Sequence, residues 1–137
     1  AALGFLIVDS KAEIDHPSIV PVANLFGGGR VGAKGGSHLF KVGIWVPAAN
    51  RAEFLDWYQG EHLPILLECR AWGGCRFVEK AVGEGHQYYA LHQLDAPSAL
   101  DSEERRRSRA TPWFLRLKQH AWFDEAFTRQ LYSRTEA

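Results

Sequence analysis

Alternating hydrophobic and polar positions predict four β-strands from residue 38 onward. In residues 40–46 the hydrophobic side chains at even positions alternate with Lys41, Gly43 and Trp45, a period of two that indicates a half-buried strand. Residues 75–82 and 87–94 have strand composition and are separated by a Gly-Glu-Gly turn. Residues 125–133 alternate in the same way near the end of the chain. We therefore expect four strands in this part of the protein.

A helix is predicted between the first two of these strands, over residues 51–62. Asn50 is expected to be its N-cap, because Glu53 follows at the spacing of a capping box. Pro64 disfavours helical geometry at the residue before it, so the helix is expected to end near His62.

A second helical stretch is predicted between the third and fourth strands. It opens at residues 97–98 or 101–102 and continues to Arg109, and Thr111 and Pro112 end it. Residues 113–120 are expected to add a helical turn or two. The order of elements is then β-α-β-β-α-β, the split arrangement of a ferredoxin-like α+β fold with an antiparallel sheet.

The first 37 residues differ in pattern from the rest. Residues 3–8 have strand composition, whereas residues 27–37 carry six of the thirteen glycines and are expected to form a loop or arm. We interpret residues 1–37 as an extra strand and a Gly-rich arm of the same domain as residues 38–137. A four-stranded sheet with both helices on one face leaves its other face bare, so we expect a homodimer in which two sheets meet.

Length and charge exclude several classes of protein. The 137 residues are close to the size of one domain, and 46% of them are hydrophobic. Sixteen Lys and Arg balance sixteen Asp and Glu, which excludes a chain-wide electrostatic attraction to nucleic acid or to an anionic membrane. The sequence contains no run of 18 apolar residues, so no transmembrane helix is predicted. We expect a cytoplasmic protein, in which Cys69 and Cys75 are reduced.

Two motifs resemble binding sites without the context that such sites need. Residues 27–32 match the letters G-x-G-x-x-G, but this loop leads into a strand, whereas a dinucleotide site requires a helix there. Arg105, Arg106, Arg107 and Arg109 form a basic cluster that follows two glutamates, which favours a solvated helix face; the alternative is a site that binds an anion or nucleic acid. The six histidines show no metal-ligand spacing. No metal and no cofactor are predicted.

The predicted first helix carries the strongest candidate for chemistry. Phe54, Tyr58 and His62 lie at positions i, i+4 and i+8, so they share one face. At the last turn of the helix the macrodipole favours a charged imidazole, while surrounding rings favour a neutral one. His62 is therefore a candidate general acid or base, and the alternative is a histidine that caps or packs at a helix end.

The same segment resembles the EthD-like family of the dimeric α/β-barrel superfamily. The resemblance rests on the pattern Phe-x-x-Trp-Tyr-x-x-Glu-His-x-Pro, on residues 88–97, and on a Thr-Pro-Trp segment followed by Arg129 and Tyr132; it covers about residues 38–134. It implies a ferredoxin-like protomer, a sheet-to-sheet homodimer and a pocket between sheet and helices. Residues 71–74 lack the Pro-Gly-Phe that is frequent in the family before the second strand, and the first 37 residues extend beyond a minimal member.

With this resemblance, residues on three predicted elements become candidates for a site. His62 is the first catalytic candidate, with Tyr58 as its companion on the helix; His92, on the third predicted strand, is the second, unless it is a polar residue facing an interface. Arg76 is expected to hold a carboxylate by bidentate hydrogen bonds, or to form a structural ion pair. The remaining candidates come from the helix and from aromatic positions that form either pocket walls or core: Trp57, Glu61, Trp113 and Trp45. Glu61 is expected either to orient the imidazole or to face solvent.

The superfamily includes lactone isomerases, polyketide cyclases, cofactor-independent monooxygenases and haem-binding enzymes, so the fold alone does not fix the reaction. We expect a small cofactor-independent enzyme that performs isomerisation, cyclisation or elimination on an aromatic or carboxylated small molecule, in catabolism. The alternatives are a cofactor-free monooxygenase, a non-catalytic binding protein that serves a catabolic enzyme, and, more weakly, a haem-binding protein.

Overall fold

A computed structural model of the chain describes residues 22–29, 37–80 and 86–133. The strands are β1 (Val22–Gly29), β2 (His38–Val46), β3 (Trp72–Lys80), β4 (His86–Leu94) and β5 (Phe127–Ser133). The helices are α1 (Arg51–Trp57), α2 (Leu63–Leu66), α3 (Glu103–Ser108) and α4 (Pro112–Lys118). A π-helical turn (Tyr58–His62) joins α1 to α2, and short 3-10 turns precede α1 and α3 (Ala48–Asn50 and Pro97–Asp101).

The five strands form one antiparallel sheet in the order β1-β3-β4-β2-β5. Strands β2 to β5 with their intervening helices follow the β-α-β-β-α-β order, which is compatible with the predicted ferredoxin-like fold. Strand β1 is added at the edge beside β3. The four strands expected from the hydrophobic pattern are confirmed, with ends that differ from the expectation by up to three residues.

Strand β1 corrects the sequence analysis, which assigned Gly27, Gly28 and Gly29 to a loop. These glycines pair with β3, and Gly29 lies opposite Gly74. A β-carbon at Gly29 would lie 2.9 Å from the Gly73 carbonyl oxygen, so the close approach of the two strands requires glycine here. The other predicted parts of the N-terminal segment, the strand at residues 3–8 and the arm at residues 30–36, lie outside the described residues.

The first helix does not end before Pro64, contrary to the sequence analysis. At the π-helical turn the Leu63 N–H donates to the Tyr58 carbonyl, five residues earlier. This wider turn relieves the clash that a proline ring causes in a regular α-helix, and the chain continues as α2 to Leu66. A proline that is expected to stop the helix is thus accommodated by a change in its winding.

Side-chain caps form at the later helices but not at the first. Asn50 makes no side-chain cap hydrogen bond, so the predicted capping box is wrong. Ser102 accepts from the Arg105 N–H at the start of α3. Thr111 accepts from the Phe114 N–H at the start of α4. These two caps confirm the breaks expected at those positions.

The main core lies between the helices and one face of the sheet. Phe40, Ile44, Phe77, Tyr88 and Leu94 point from the strands to this side and are buried. The opposite face carries Trp45, which is 44% exposed. In the part of the chain that the structure describes, no helix is long and apolar enough to cross a membrane.

Candidate functional site

A cavity of about 140 Å³ lies between the sheet and the helices. Its buried walls are mostly aromatic or aliphatic, and they include Phe40, Val42, Trp57, Leu66, Trp72, Phe114 and Phe123. Its charged residues are the more exposed ones, and they are Arg105, Arg109, Lys118, Asp124 and Arg129. The cavity therefore has an apolar floor and a charged, mainly cationic mouth.

Four of the predicted catalytic and binding residues join a hydrogen-bonded or stacked group at this cavity: Trp57, Tyr58, His62 and His92. Tyr58 and His92 are both buried, and the Tyr58 hydroxyl lies 2.9 Å from Nε2 of His92. The Nε1–H of Trp72 donates to Nδ1 of His92 at 3.0 Å. Trp72 was not among the predicted site residues. Its indole can be assigned a role only because the β3–β4 pairing brings it next to His92.

The direction of the hydrogen bonds in this group follows from the chemistry of indole. Because the indole nitrogen only donates, Nδ1 of His92 is the acceptor and carries no proton. The neutral ring then carries its proton on Nε2 and donates it to the Tyr58 oxygen. The Tyr58 hydroxyl keeps its own proton, for which the described residues offer no acceptor. Tyr58 is therefore a donor that the fold leaves available.

Burial fixes the charge states of this pair. Burial, with smaller contributions from the nearby His62 and Arg105, lowers the pKa of His92 to about 3. Burial also holds the pKa of Tyr58 well above its ordinary value. At neutral pH His92 is thus a neutral imidazole and Tyr58 an un-ionised phenol, as the hydrogen-bond directions require.

His62 lies against the same group, through rings rather than through hydrogen bonds. Its imidazole stacks on Trp57 with ring centroids 4.5 Å apart, and meets the Tyr58 ring edge-on at 4.8 Å. Its Nδ1 is buried and has no hydrogen-bond partner among the described residues. Burial lowers the pKa of His62 to about 3; a backbone contact with Ser108 acts in the opposite direction. His62 is therefore a neutral imidazole with unused hydrogen-bonding capacity.

The π-helical turn explains why adjacent helix positions reach one cavity. Adjacent positions of a regular helix point about 100° apart, which predicts that Trp57 and Tyr58 diverge. Both nevertheless line the cavity, and both contact the ring of His62. The wider winding brings residues five positions apart onto the same face, in addition to those four apart.

Glu61 neither orients the His62 imidazole nor simply faces solvent, the two expectations from the sequence. Its Oε2 accepts from Nε1 of Trp57 at 3.1 Å and from the Thr111 hydroxyl at 2.8 Å. It does not hydrogen-bond to His62. Glu61 thus ties the π-helical turn to the N-terminus of α4 and holds the Trp57 ring against the cavity.

Three predicted binding residues lie away from the cavity. Trp113 packs partly buried at the edge of the core and does not line the void. Trp45 lies on the opposite face of the sheet. Arg76 is exposed, and its position opposite Leu91 places it on that face as well, whereas its neighbour Cys75 faces His92. Arg76 therefore does not reach the group around Tyr58.

Arg105 and Arg109 were not counted among the site residues, because a solvated helix face was favoured for the basic cluster and anion binding was only the alternative. Arg106 and Arg107 do point to solvent, where they pair with Glu103 and Glu68. Arg105 is half-buried and lines the cavity. Residues three or four positions apart in a helix share a face. The four-residue spacing of Arg105 and Arg109 was therefore the sequence signal that these two arginines lie on the same side.

Comparisons with known proteins show the fold alone. No protein-family model matches the sequence, and no curated protein matches it. A solved structure described as a major regulator of staphylococcal pathogenesis is similar in fold, with a TM-score of 0.55. It shares 10% sequence identity over an alignment that covers 93% of this chain and 76% of that one.

Proposed function

We propose that this protein is a small cofactor-independent enzyme of the EthD-like kind, which performs acid/base chemistry on an aromatic or carboxylated small molecule. The observation that carries the proposal is the juxtaposition, beside one cavity, of two groups: a neutral imidazole whose Nδ1 has no partner among the described residues, and a phenol whose proton has no acceptor among them. One group accepts protons and the other donates hydrogen bonds, which is the pair that proton transfer next to a carbonyl needs.

In the proposed reaction His62 accepts a proton from a carbon adjacent to a carbonyl of the substrate. The electron pair of the broken C–H bond forms a C=C bond, and the carbonyl π electrons move to oxygen to give an enolate. The Tyr58 hydroxyl donates a hydrogen bond to that oxygen. When the substrate carries a C=C bond next to that carbon, the enolate is conjugated with it, and His62 returns the proton to the far carbon of that bond. The double bond thereby moves into conjugation with the carbonyl, an isomerisation with no net change in atoms or electrons.

The surroundings of the two groups support these roles. His92 donates to the Tyr58 oxygen and so polarises the phenol toward donation. The lowered pKa of His62 keeps its imidazole unprotonated at neutral pH, as a proton acceptor must be. The aromatic floor excludes water and so strengthens both interactions.

A carbonyl-bearing ring acid, 3-oxocyclohexanecarboxylate, tests the proposal without knowledge of the natural substrate. In D₂O, NMR measures how fast deuterium replaces the protons next to the ketone. We expect the wild-type protein to accelerate this exchange. The acceleration by the His62→Ala variant should be about 10²- to 10⁴-fold smaller. His120→Ala is the matched control, since His120 does not line the cavity. No acceleration by the wild-type protein would remove the proposal.

A non-catalytic binding protein is the second candidate, and one observation favours it. A histidine whose pKa is about 3 is a weak base, so the cavity is suited to holding a ligand even if it transfers no proton. The two functions differ in the exchange experiment above. A ligand-bound protein that leaves the exchange rate at the buffer value is a carrier.

We also propose that two copies associate through the sheet face that bears Trp45. An exposed tryptophan on a sheet face is typical of an interface, and the EthD-like resemblance implies the same pairing. Sedimentation velocity should show a dimer in the wild type and a shift toward monomer in Trp45→Glu. Leu115→Glu, at an exposed leucine of α4, is the control and should leave the dimer intact.

A further inference from the structure

Each of three arginines at the cavity mouth lies over a different phenylalanine of the cavity wall. The guanidinium carbon of Arg105 is 5.7 Å from the Phe40 ring centre, and that of Arg129 is 5.1 Å from the Phe127 ring centre. Arg109 lies over Phe114 at 6.0 Å. Cation–π contacts of this kind hold planar cations in place without neutralising them.

These three cations have no ion-pair partner among the described residues. Arg51, Arg106 and Arg107, by contrast, each pair with a glutamate. Arg105 donates to the Leu100 carbonyl, a neutral acceptor. The acids that face this cluster are Asp124, which lines the mouth, and Asp101, which acts on Arg105.

The arginines are also close enough to repel one another. Burial lowers the pKa of Arg105, and Arg109 and Arg129 lower it further. Burial and Arg109 act on Arg129 in the same direction. Unpaired like charges beside a cavity repel one another, and a bound anion reduces this repulsion. The cavity mouth therefore favours a negatively charged ligand over a neutral one.

We infer that Arg105, Arg109 and Arg129 form a carboxylate subsite, and that the ligand of the cavity is a carboxylate carried on a single apolar ring. The assignment of this subsite rests on the proposed function only because both concern the same cavity. The guanidinium fork matches a carboxylate in two parallel hydrogen bonds. An apolar cavity of about 150 Å³ holds one benzene molecule, and the present volume of about 140 Å³ has the same capacity.

This assignment also orients the ligand. The carboxylate lies at the cationic mouth, so the ring lies on the aromatic floor, where Tyr58 and His62 are found. The polar group that meets the Tyr58 proton must then be an acceptor on the ring or next to it. Arg76, the carboxylate-binding candidate from the sequence, is replaced in this role by residues of α3, its following turn and β5.

Calorimetric titration with benzoate, benzamide and inorganic phosphate tests the subsite. Benzoate should bind the wild type at least about tenfold more tightly than benzamide, which has the same shape without the charge. Phosphate should bind more weakly than benzoate, because it gains nothing from the aromatic floor. Arg129→Gln should weaken benzoate binding about tenfold or more and leave benzamide unchanged, while Arg76→Gln, the matched control on the opposite face, should change neither.

Equal binding of benzoate and benzamide by the wild type, or no benzoate binding at millimolar concentration, overturns the subsite. Phosphate binding as tight as benzoate overturns the claim that the ligand carries an apolar ring. The wild-type comparison decides even where Arg129→Gln fails to fold. An anion preference without any proton exchange overturns only the enzymatic proposal, and proton exchange without an anion preference overturns only the subsite.

Discussion

Trp72 donates its indole N–H to Nδ1 of His92, and this one bond sets the direction of the hydrogen bond that follows it. A histidine that accepts at Nδ1 must donate from Nε2 when neutral, so the Tyr58 oxygen receives a proton donor 2.9 Å away. The Tyr58 hydroxyl therefore keeps its own proton, which it can donate to a ligand in the cavity. A tryptophan on β3 thereby determines what a tyrosine of the π-helical turn offers to a ligand.

Substitutions of His92 test this direction. His92→Gln supplies one acceptor for Trp72 and one donor for Tyr58, and should keep proton-exchange activity within about tenfold of wild type. His92→Leu fills similar space but leaves the indole N–H without a partner, and should cost about 1–3 kcal/mol in the free energy of unfolding. Urea unfolding and the exchange assay measure the two effects.

The contrast between the two variants is the control. Equal loss of stability in His92→Gln and His92→Leu would mean that only the shape of the imidazole matters and that the hydrogen bonds do not. Exchange activity that is unaffected in His92→Leu would show that Tyr58 needs no polarising donor.

The lowered pKa values of the buried histidines predict that acid destabilises the protein. An unfolded histidine binds a proton below about pH 6.5, whereas His92 in the folded protein does so only near pH 3. Falling pH therefore favours the unfolded state between these values, by about 1.4 kcal/mol per pH unit for such a group. Chemical unfolding at a series of pH values should show this slope, and it should be shallower in His92→Gln. Identical slopes in the two proteins would contradict a neutral, buried His92.

Alanine in place of Gly60, in the π-helical turn, is expected to stabilise the protein. A β-carbon there would meet no atom of the described residues within 4 Å apart from the backbone of its own turn, so alanine fits without a clash. Alanine loses less backbone entropy on folding than glycine in a helix, and Gly60→Ala should raise the free energy of unfolding by about 0.5–1 kcal/mol. Gly29→Ala is the opposite case, since its β-carbon would meet the Gly73 carbonyl oxygen at 2.9 Å and should destabilise the protein. Thermal unfolding of both variants checks the pair, and a destabilising Gly60→Ala would show that the turn requires glycine.

Alternation together with strand composition between turns was enough to predict β2, β3, β4 and β5, although burial alternates only in part along them, as the consecutive buried residues 72–75 show. It failed at Gly27–Gly29, where the strand is specified by close backbone approach to Gly73 and Gly74 rather than by side-chain burial. A run of glycines carries no hydrophobic alternation. Only the partner strand shows why they are there.

The candidate site was predictable in part. His62, Tyr58 and His92 were identified from helical spacing, strand alternation and the motif that resembles the EthD-like family, and the structure places all three at one cavity. Arg129 was noted only as part of that resemblance, and Arg105 only as part of a surface cluster. Their convergence depends on the packing of α3 against α2, which brings Arg105 over the Phe40 ring of β2, and no local pattern contains that information.

The pKa of His62 with and without an anion tests the central claim most directly. In the free protein, burial and the field of Arg105, Arg109 and Arg129 hold that pKa low. NMR of the imidazole carbons should show a neutral His62 down to about pH 5, and saturating benzoate should raise its pKa because the carboxylate offsets the arginine charges. A His62 that is protonated at neutral pH in the free protein, or whose titration is the same with and without benzoate, would contradict the account.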